Sequence, residues 1–254
     1  MATSMRRALR VLEVVGAAGD GVTAKAIARR LACPLPTVYR ALAVLVEEGY
    51  LVRLDGLRGY GIGYRVAELQ RSLTDQLRPP APVVAALHDL HVEAAAAAYL
   101  TVFRDREVVV AHADACAEHP LPPDVRVGEP IAAHAAAAGK VLLATVRPAQ
   151  VEELLAPHTV PDRRALDRDL MRVRLDGVAV EVEELAAGVA GVAAPLQGPD
   201  GEVTGALGVS VSRTEFGARR WELERLVRAA AERAGAGRTA LTNPERREAF
   251  PARG

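Results

Sequence analysis

The chain has 254 residues, of which 50% are hydrophobic and 25% are charged. This length exceeds the usual size of a single domain, so the sequence predicts two domains with enough apolar residues for a core. It contains no apolar run of about 18 residues and no signal-peptide pattern, which excludes a membrane-spanning helix and favours a cytoplasmic protein. Cys33 and Cys116 lie far apart in the sequence, so we expect reduced, isolated thiols and no disulfide.

The net charge of zero hides an uneven distribution of charge along the chain. Residues 1–78 carry 12 Lys+Arg against 7 Asp+Glu, a net charge of +5, and the remainder carries 20 against 25, a net charge of −5. A basic module joined to an acidic body is typical of a protein whose basic end meets a polyanion.

Three helices are predicted in the first part of the chain. Residues 5–17 place arginines on one side and apolar residues at helical spacing on the other. Thr23 is a good N-cap for a second helix, and after a short break Pro36 fits the first turn of a third helix, where its missing amide hydrogen is not needed. The apolar side of the first helix is predicted to contain Ala8, Leu9, Leu12, Val15 and Gly16.

The third predicted helix, residues 36–48, indicates a function. Val38, Leu42 and Leu45 form an apolar stripe that can pack on the first two helices. In a helix-turn-helix, the first turn of the second helix enters the major groove of DNA, where Arg pairs with guanine or phosphate. The residues predicted to contact DNA here are Thr23, Pro36, Thr37, Tyr39 and Arg40.

A wing is predicted after the third helix. Gly49 ends that helix, and residues 50–64 are typical of two short strands around a glycine-rich turn. We expect Arg53 and Arg58 to contact the minor groove or the flanking phosphates. The alternative is a three-helix bundle with a hairpin that docks to protein and binds no nucleic acid.

Three segments together resemble the N-terminal domain of the IclR family of transcriptional regulators. They are ALRVLEVV, AIARRLACPLPTVYRALAVLVEEGYLVR and YGIGYRVAEL. The resemblance implies a winged helix-turn-helix. The chain departs from the family pattern at Ala32, where Gly is common in the turn, and at Leu35 and Pro36, where basic or hydroxyl residues are usual.

The second half of the chain mixes helix and strand patterns. Residues 66–78 are predicted to form a linker helix, and the proline-rich segment that follows it marks a domain boundary. A hairpin is predicted around Pro199-Asp200-Gly201, and the order of elements favours an α+β domain with an antiparallel sheet. The predicted division is a DNA-binding domain over 1–65, a linker over 66–82, a second domain over 83–235 and a disordered tail over 236–254.

The second domain resembles the GAF-like α/β effector-binding domain of the same family, on IAAHAAAAGKVLLA (residues 131–144) and on residues 166–212. The resemblance implies a small-molecule pocket on one face of the sheet. The effector-binding residues that it implies, position by position, are Ala137, Ala138, Glu181, Val189, Gly191, Gly208 and Ser210.

Several of these positions differ from the common family pattern. Gly191 stands where Cys is frequent, Gly208 where a hydroxyl residue can occur, and Glu181 where Asp is usual. The pocket then offers fewer side-chain donors to a carboxylate and more space, although the amides at the start of the Gly139-Lys140 helix can hold an anion. We therefore expect an organic acid or aromatic metabolite that is larger or more apolar than a two-carbon acid.

The sequence thus predicts a sequence-specific repressor or activator whose affinity for double-stranded DNA is modulated by an effector. A homodimer or homotetramer is expected, since one wing module reads too few base pairs for genomic specificity. No cofactor and no metal site are predicted. The alternatives are a second domain that only oligomerises, a pure protein-interaction scaffold, and an enzyme with Ser210 or Cys116 as nucleophile, which is disfavoured because neither has a recognisable base and orienting partner.

Overall fold

The computed structural model describes residues 2–54, 56, 59–156 and 158–236. The chain forms two compact units, and the boundary between them falls between Gln76 and Leu77. The predicted tail lies outside this part of the chain except for Ala236. No helix within it is long and apolar enough to cross a membrane.

The first unit contains a helix-turn-helix followed by a two-stranded wing. Its strands are antiparallel, with Leu51 opposite Ile62 and Leu54 opposite Gly59. The second helix begins where the Thr23 hydroxyl accepts a hydrogen bond from the amide of Ala26 at 3.3 Å. The elements are α1 (Ala2–Ala18), α2 (Ala24–Arg30), α3 (Leu35–Glu47), β1 (Leu51–Leu54), β2 (Gly59–Ile62) and α4 (Tyr64–Leu77), whose last residue belongs to the second unit.

The core of the first unit confirms the apolar stripe predicted for the third helix, because Val38, Leu42 and Leu45 are all buried. The facing predicted for the first helix is right for Val15, which is buried, and for Leu12, which packs against the core, but wrong for Leu9, which is 54% exposed. The buried face of α1 consists of Val11, Val14 and Val15. These valines stand at i, i+3 and i+4, so they form a continuous apolar stripe that α3 covers.

The turn between α2 and α3 contains a residue in a strained backbone conformation. Ala32 has φ of 49°, in the left-handed region that costs an L-residue about 1–2 kcal/mol. The hydrogen bond from the amide of Cys33 to the carbonyl of Ala28, at 3.0 Å, holds the chain in this turn. The departure from Gly noted in the sequence therefore falls where Gly is favoured physically.

The second unit is built around a five-stranded antiparallel sheet in the order β4-β3-β7-β6-β5, which confirms the predicted α+β class. The elements are α5 (Ala81–Ala94), β3 (Ala97–Arg104), β4 (Glu107–Asp114), α6 (Ala137–Thr145), α7 (Pro148–Leu155), α8 (Arg163–Asp176), β5 (Ala179–Val182), β6 (Val189–Gln197), β7 (Val203–Ser212) and α9 (Arg213–Ala236).

The two faces of the sheet are covered by different helices. One face joins Tyr99, Ala193 and Ala206 to a core cluster that includes residues of α6, α7 and α8. Because side chains alternate along a strand, the neighbouring residues Val192 and Leu207 point the other way, where α5 and α9 pack. The helix α9 is kinked at Arg219.

The outer edge of β4 is covered by residues 128–131. The amide of Gly128 donates to the carbonyl of Val110 at 2.8 Å, the amide of Val110 donates to Glu129 at 3.1 Å, and the amide of Ile131 donates to Val108 at 2.8 Å. The other edge strand, β5, is only 4 residues long.

We expect Ala32→Gly to stabilise the first unit by roughly 0.5–1 kcal/mol, because relief of the left-handed strain exceeds the entropy that Gly adds to the unfolded chain. Chemical denaturation of the full chain measures this free energy of unfolding. The matched control is Ala43→Gly inside α3, which should destabilise by about 1 kcal/mol because its backbone is helical. A loss of stability in Ala32→Gly would contradict the strain argument.

Candidate functional site

The first turns of α3 bring four of the predicted DNA-contacting residues together. Pro36, Tyr39 and Arg40 are exposed and Thr37 is half-buried. Tyr39 is 49% exposed although it is a large aromatic residue, while its neighbour Val38 is fully buried and anchors the helix. The helix thus presents a phenol and a guanidinium to solvent from a rigid support, which suits contact with base edges and phosphates.

The other three predicted DNA-contacting residues occupy different positions. The hydroxyl of Thr23 caps α2, so it serves the helix start rather than projecting freely. Arg53 is exposed on β1, opposite Tyr60 of β2. Arg58 lies outside the described residues.

Three further cations of the first unit were missed in the sequence. Lys25, Arg29 and Arg30 are exposed on α2, and neither they nor Arg40 forms an ion pair with any described residue. The segment AKAIARR carries the signal, since Lys25, Arg29 and Arg30 all stand at positions other than Ala24 and Ile27, which α2 buries. Unpaired cations on both helices of a helix-turn-helix attract a phosphate backbone.

The positions implied for effector binding converge on one face of the sheet in the second unit. Glu181 of β5 pairs with Gly191 of β6, and Gly191 pairs with Ser210 of β7, so the three form one row across adjacent strands. Val189 and Gly208 stand two residues from members of this row and therefore share its face. The helix α6, which begins with the buried Ala137 and Ala138, packs against the same strands.

The two glycines of this face make room for two large polar side chains. A methyl group added at Gly191 would lie 3.0 Å from Glu181 Oε1, and one added at Gly208 would lie 3.4 Å from Tyr99 Cζ. The space that the sequence suggested was open is thus occupied by the carboxyl of Glu181 and the ring of Tyr99.

Three buried hydroxyls on this face have no well-aligned hydrogen-bond partner among the described residues: Tyr99 Oη, Thr101 Oγ1 and Ser210 Oγ. Burial raises the pKa of the Tyr99 phenol to about 12, and a poorly aligned hydrogen bond with the neighbouring Ser210 hydroxyl opposes that rise. A buried polar group left unsatisfied costs about 1–3 kcal/mol. Ser210 lies in the row of Glu181 and Gly191, and Tyr99 and Thr101 lie in the next two rows, so a polar molecule bound on this face can supply hydrogen bonds to them.

Glu181 is a buried acid on this face, and only 1% of it is exposed. Its Oε2 accepts hydrogen bonds from the amides of Glu184 at 3.2 Å and Leu185 at 3.5 Å. Burial raises the pKa of Glu181 to about 7, although these backbone bonds and the charge of Lys140 lower it. Near neutral pH the side chain is therefore divided between its protonated and ionised forms.

Lys140 lies within the otherwise apolar α6, with its side chain completely buried. Its Nζ donates to Asp169 Oδ2 of α8 and to Glu184 Oε1, which follows β5, at 2.7 Å in both cases. This arrangement was not predicted from the sequence, in which the signal is a single Lys inside AAAAGKVLLA. The ion pairs join α6, α8 and the segment after β5.

The start of α6 is tightly packed. A methyl group at Gly139 would lie 2.4 Å from the Cα of Ala133, so only Gly allows the preceding turn to approach the helix. His134 belongs to that turn, and its Nδ1 is buried with no partner in the described chain. Burial and the neighbouring His158 lower the pKa of His134, which favours a neutral imidazole.

The two suggested nucleophiles lie in different surroundings. Ser210 is buried in β7, whereas Cys116 is exposed after β4. Within the described ranges, no three His, Cys, Asp or Glu side chains are grouped as a metal site requires.

Comparison with known proteins matches both units to domains of one family. The family model described as bacterial transcriptional regulator IclR C-terminal matches residues 82–235, and the IclR helix-turn-helix domain matches residues 4–55. The HTH-type transcriptional regulator Rv1719 of Mycobacterium tuberculosis is 31% identical over 230 residues, which cover 85% of each protein.

Two solved structures share the fold. The IclR of Thermotoga maritima superposes with a TM-score of 0.74 at 22% identity, covering 93% of this chain and 99% of that one. An IclR homologue from Microbacterium hydrocarbonoxydans, solved in complex with 4-hydroxybenzoate, superposes with a TM-score of 0.71 at 26% identity, covering 92% and 98%.

Glu181 makes stability depend on pH in a direction that can be measured. Since its pKa rises from 4.5 to about 7 on folding, the native state binds more protons than the unfolded state between these values. Stability is therefore lost as pH rises through this window, by about 2–3 kcal/mol. We expect the free energy of unfolding of the wild type to fall between pH 5 and pH 8 by that amount more than the free energy of unfolding of Glu181→Gln does. Chemical denaturation of both proteins at the two pH values measures this difference.

The control for this comparison is Glu93→Gln, which removes one charge from an exposed ion pair with Arg233 on the α5 side of the unit. Its stability should run parallel to that of the wild type across the same window. Parallel curves for Glu181→Gln as well would show that Glu181 ionises at its ordinary pKa.

Proposed function

Since the chain belongs to the IclR family of bacterial transcriptional regulators, we propose that residues 1–65 bind a specific DNA operator and that residues 83–235 bind a small effector that changes operator affinity. The observation that carries the second half of this proposal is the set of buried, unpartnered hydroxyls beside Glu181. They offer polar contacts in an otherwise apolar core, as small-molecule sites do.

On the DNA side, we assign the reading of bases to the first turns of α3. Arg40 is positioned to pair with a guanine or a phosphate, and Tyr39 and Thr37 are positioned to contact the backbone, with Pro36 fixing the start of the helix. Arg53 of the wing is assigned to flanking phosphates, and so is Arg58, which lies outside the described residues. Thr23 acts by capping α2, which orients the helix that crosses the DNA backbone.

On the effector side, the site combines the row across β5, β6 and β7 with the start of α6. Tyr99 and Thr101 of β3 add hydroxyls that the sequence resemblance did not include. The IclR homologue with a similar fold was solved in complex with 4-hydroxybenzoate, which supports an effector of about the size of 4-hydroxybenzoate for this chain. The proposed effector-binding residues remain Ala137, Ala138, Glu181, Val189, Gly191, Gly208 and Ser210.

We further propose that the chain regulates in the cytoplasm as a homodimer or homotetramer and catalyses no reaction. An oligomer supplies a second reading helix, so that two half-sites are bound at once. The matched families and the relatives are transcriptional regulators, which supports regulation rather than catalysis.

Arg40→Ala tests the DNA assignment. Loss of a base or phosphate contact should weaken operator binding by about 1–3 kcal/mol, which corresponds to roughly 5–150-fold in Kd. Fluorescence anisotropy measures this Kd on an operator selected from random duplexes with the wild-type chain.

The matched control is Arg71→Ala, which removes an exposed charge on α4, outside the helix-turn-helix, and should change Kd by less than about threefold. Equal affinity of Arg40→Ala and the wild type would remove Arg40 from the reading surface. If selection recovers no duplex that the wild type retains, the protein-interaction alternative replaces DNA binding.

A further inference from the structure

The charges around the proposed effector site do not favour an anion. Lys140 is the only cation that the structure places beside Glu181 within the described chain, and its ammonium already contacts both Asp169 and Glu184. Three carboxyl groups therefore lie around one buried ammonium, and the exposed Arg172 pairs with Asp169 at 3.9 Å. The formal sum of these three carboxyl groups and two cations is −1 when Glu181 is ionised and 0 when it is protonated.

The start of α6 supplies positive potential, but too little to reverse the negative sum while Glu181 is ionised. The N-terminal end of a helix carries the equivalent of about half a positive charge. Asp169 and Glu184 are partly exposed, with side chains 27% and 43% accessible, so solvent screens part of their charge. Glu181 is not screened in this way because it is almost completely buried, and it lies on the face that the effector would contact.

The groups that remain free on this face suit hydroxyl groups. Glu181 uses Oε2 for the two backbone amides, while no described residue makes a hydrogen bond to its Oε1. The hydroxyls of Tyr99 and Ser210 can each donate one hydrogen bond and accept others. A ligand hydroxyl can donate to Oε1 and accept from a protein hydroxyl, whereas a carboxylate can only accept.

Building on the proposed effector function, we propose that the effector of this chain is an uncharged molecule with hydroxyl groups, bound through Glu181 Oε1, Tyr99 Oη and Ser210 Oγ, and that Glu181 rejects carboxylates. The raised pKa of Glu181 is consistent with this assignment, since a neutral ligand does not require either protonation state.

Two probes of the same size separate the effect of charge from that of shape. These are 4-hydroxybenzyl alcohol and 4-hydroxybenzoate, which differ in the group opposite the phenol. Isothermal titration of the full wild-type chain at pH 8, where Glu181 is mostly ionised, should give a Kd for the alcohol at least about tenfold lower than for the acid.

Glu181→Gln removes the charge and keeps the shape of the side chain. It should lower the Kd of 4-hydroxybenzoate by about tenfold or more while changing that of the alcohol by less than about threefold. Tyr99→Phe, which keeps the ring packed over Gly208, should raise the Kd of the alcohol by about fivefold or more. Glu93→Gln, the same charge change on exposed α5, should leave both values as in the wild type, and melting curves confirm that each variant is folded.

Tighter binding of 4-hydroxybenzoate than of the alcohol by the wild type would overturn the proposed ligand class and leave effector binding intact. An unchanged preference in Glu181→Gln would overturn the role of Glu181. Failure of the whole proposed sensing function has a different signature: neither these probes nor a panel of other matched alcohol and acid pairs would bind, raise the melting temperature or change operator affinity.

Discussion

A buried ammonium must be neutralised by the protein, and in the second unit this constraint falls on Lys140. Taking a lysine charge out of water without partners costs far more than a domain can tolerate, so its two carboxylates are obligatory. Asp169 and Glu184 come from different parts of the chain, and each lies 2.7 Å from Nζ. The pairing fixes the segment after β5 against α6, and the amides of that segment hold Oε2 of Glu181. The position of the Glu181 carboxyl on the sheet face thus depends on a lysine whose own ammonium is held by two other carboxylates.

Small residues allow this polar arrangement inside an apolar core. Gly191 and Gly208 let the carboxyl of Glu181 and the ring of Tyr99 lie close to the strands, since a methyl group there would come within 3.0 Å of Glu181 Oε1 and 3.4 Å of Tyr99 Cζ. Gly139 serves a related purpose at the start of α6, where the preceding turn comes within van der Waals contact of the helix backbone. Because the neighbouring residues are small, few protein side chains reach the hydroxyls of this region.

Much of the fold followed from local patterns, while the chemistry of the site depended on distant ones. The α3 stripe and the hairpin at residues 199–201 were predictable because helical and strand periods and turn residues are local signals. The buried face of α1 was not fully predictable, because its sequence contains two overlapping apolar stripes and only packing against the rest of the unit selects between them. Tyr99 was missed because it looks like an ordinary core aromatic in a strand. The partners of Lys140 are 29 and 44 residues away along the chain, and no sequence period reports such a separation.

The covered edge of β4 has a consequence for how copies of this chain can assemble. An exposed strand edge invites pairing with another chain, but here residues 128–131 already use the outward groups of β4, and the opposite edge offers only the 4 residues of β5. Continuous sheets across subunits are therefore disfavoured, and contacts between copies fall to helices and loops. Each subunit then keeps a complete sheet of its own. Because the proposed effector site lies on that sheet, the number of effector sites equals the number of chains and does not depend on the number of interfaces.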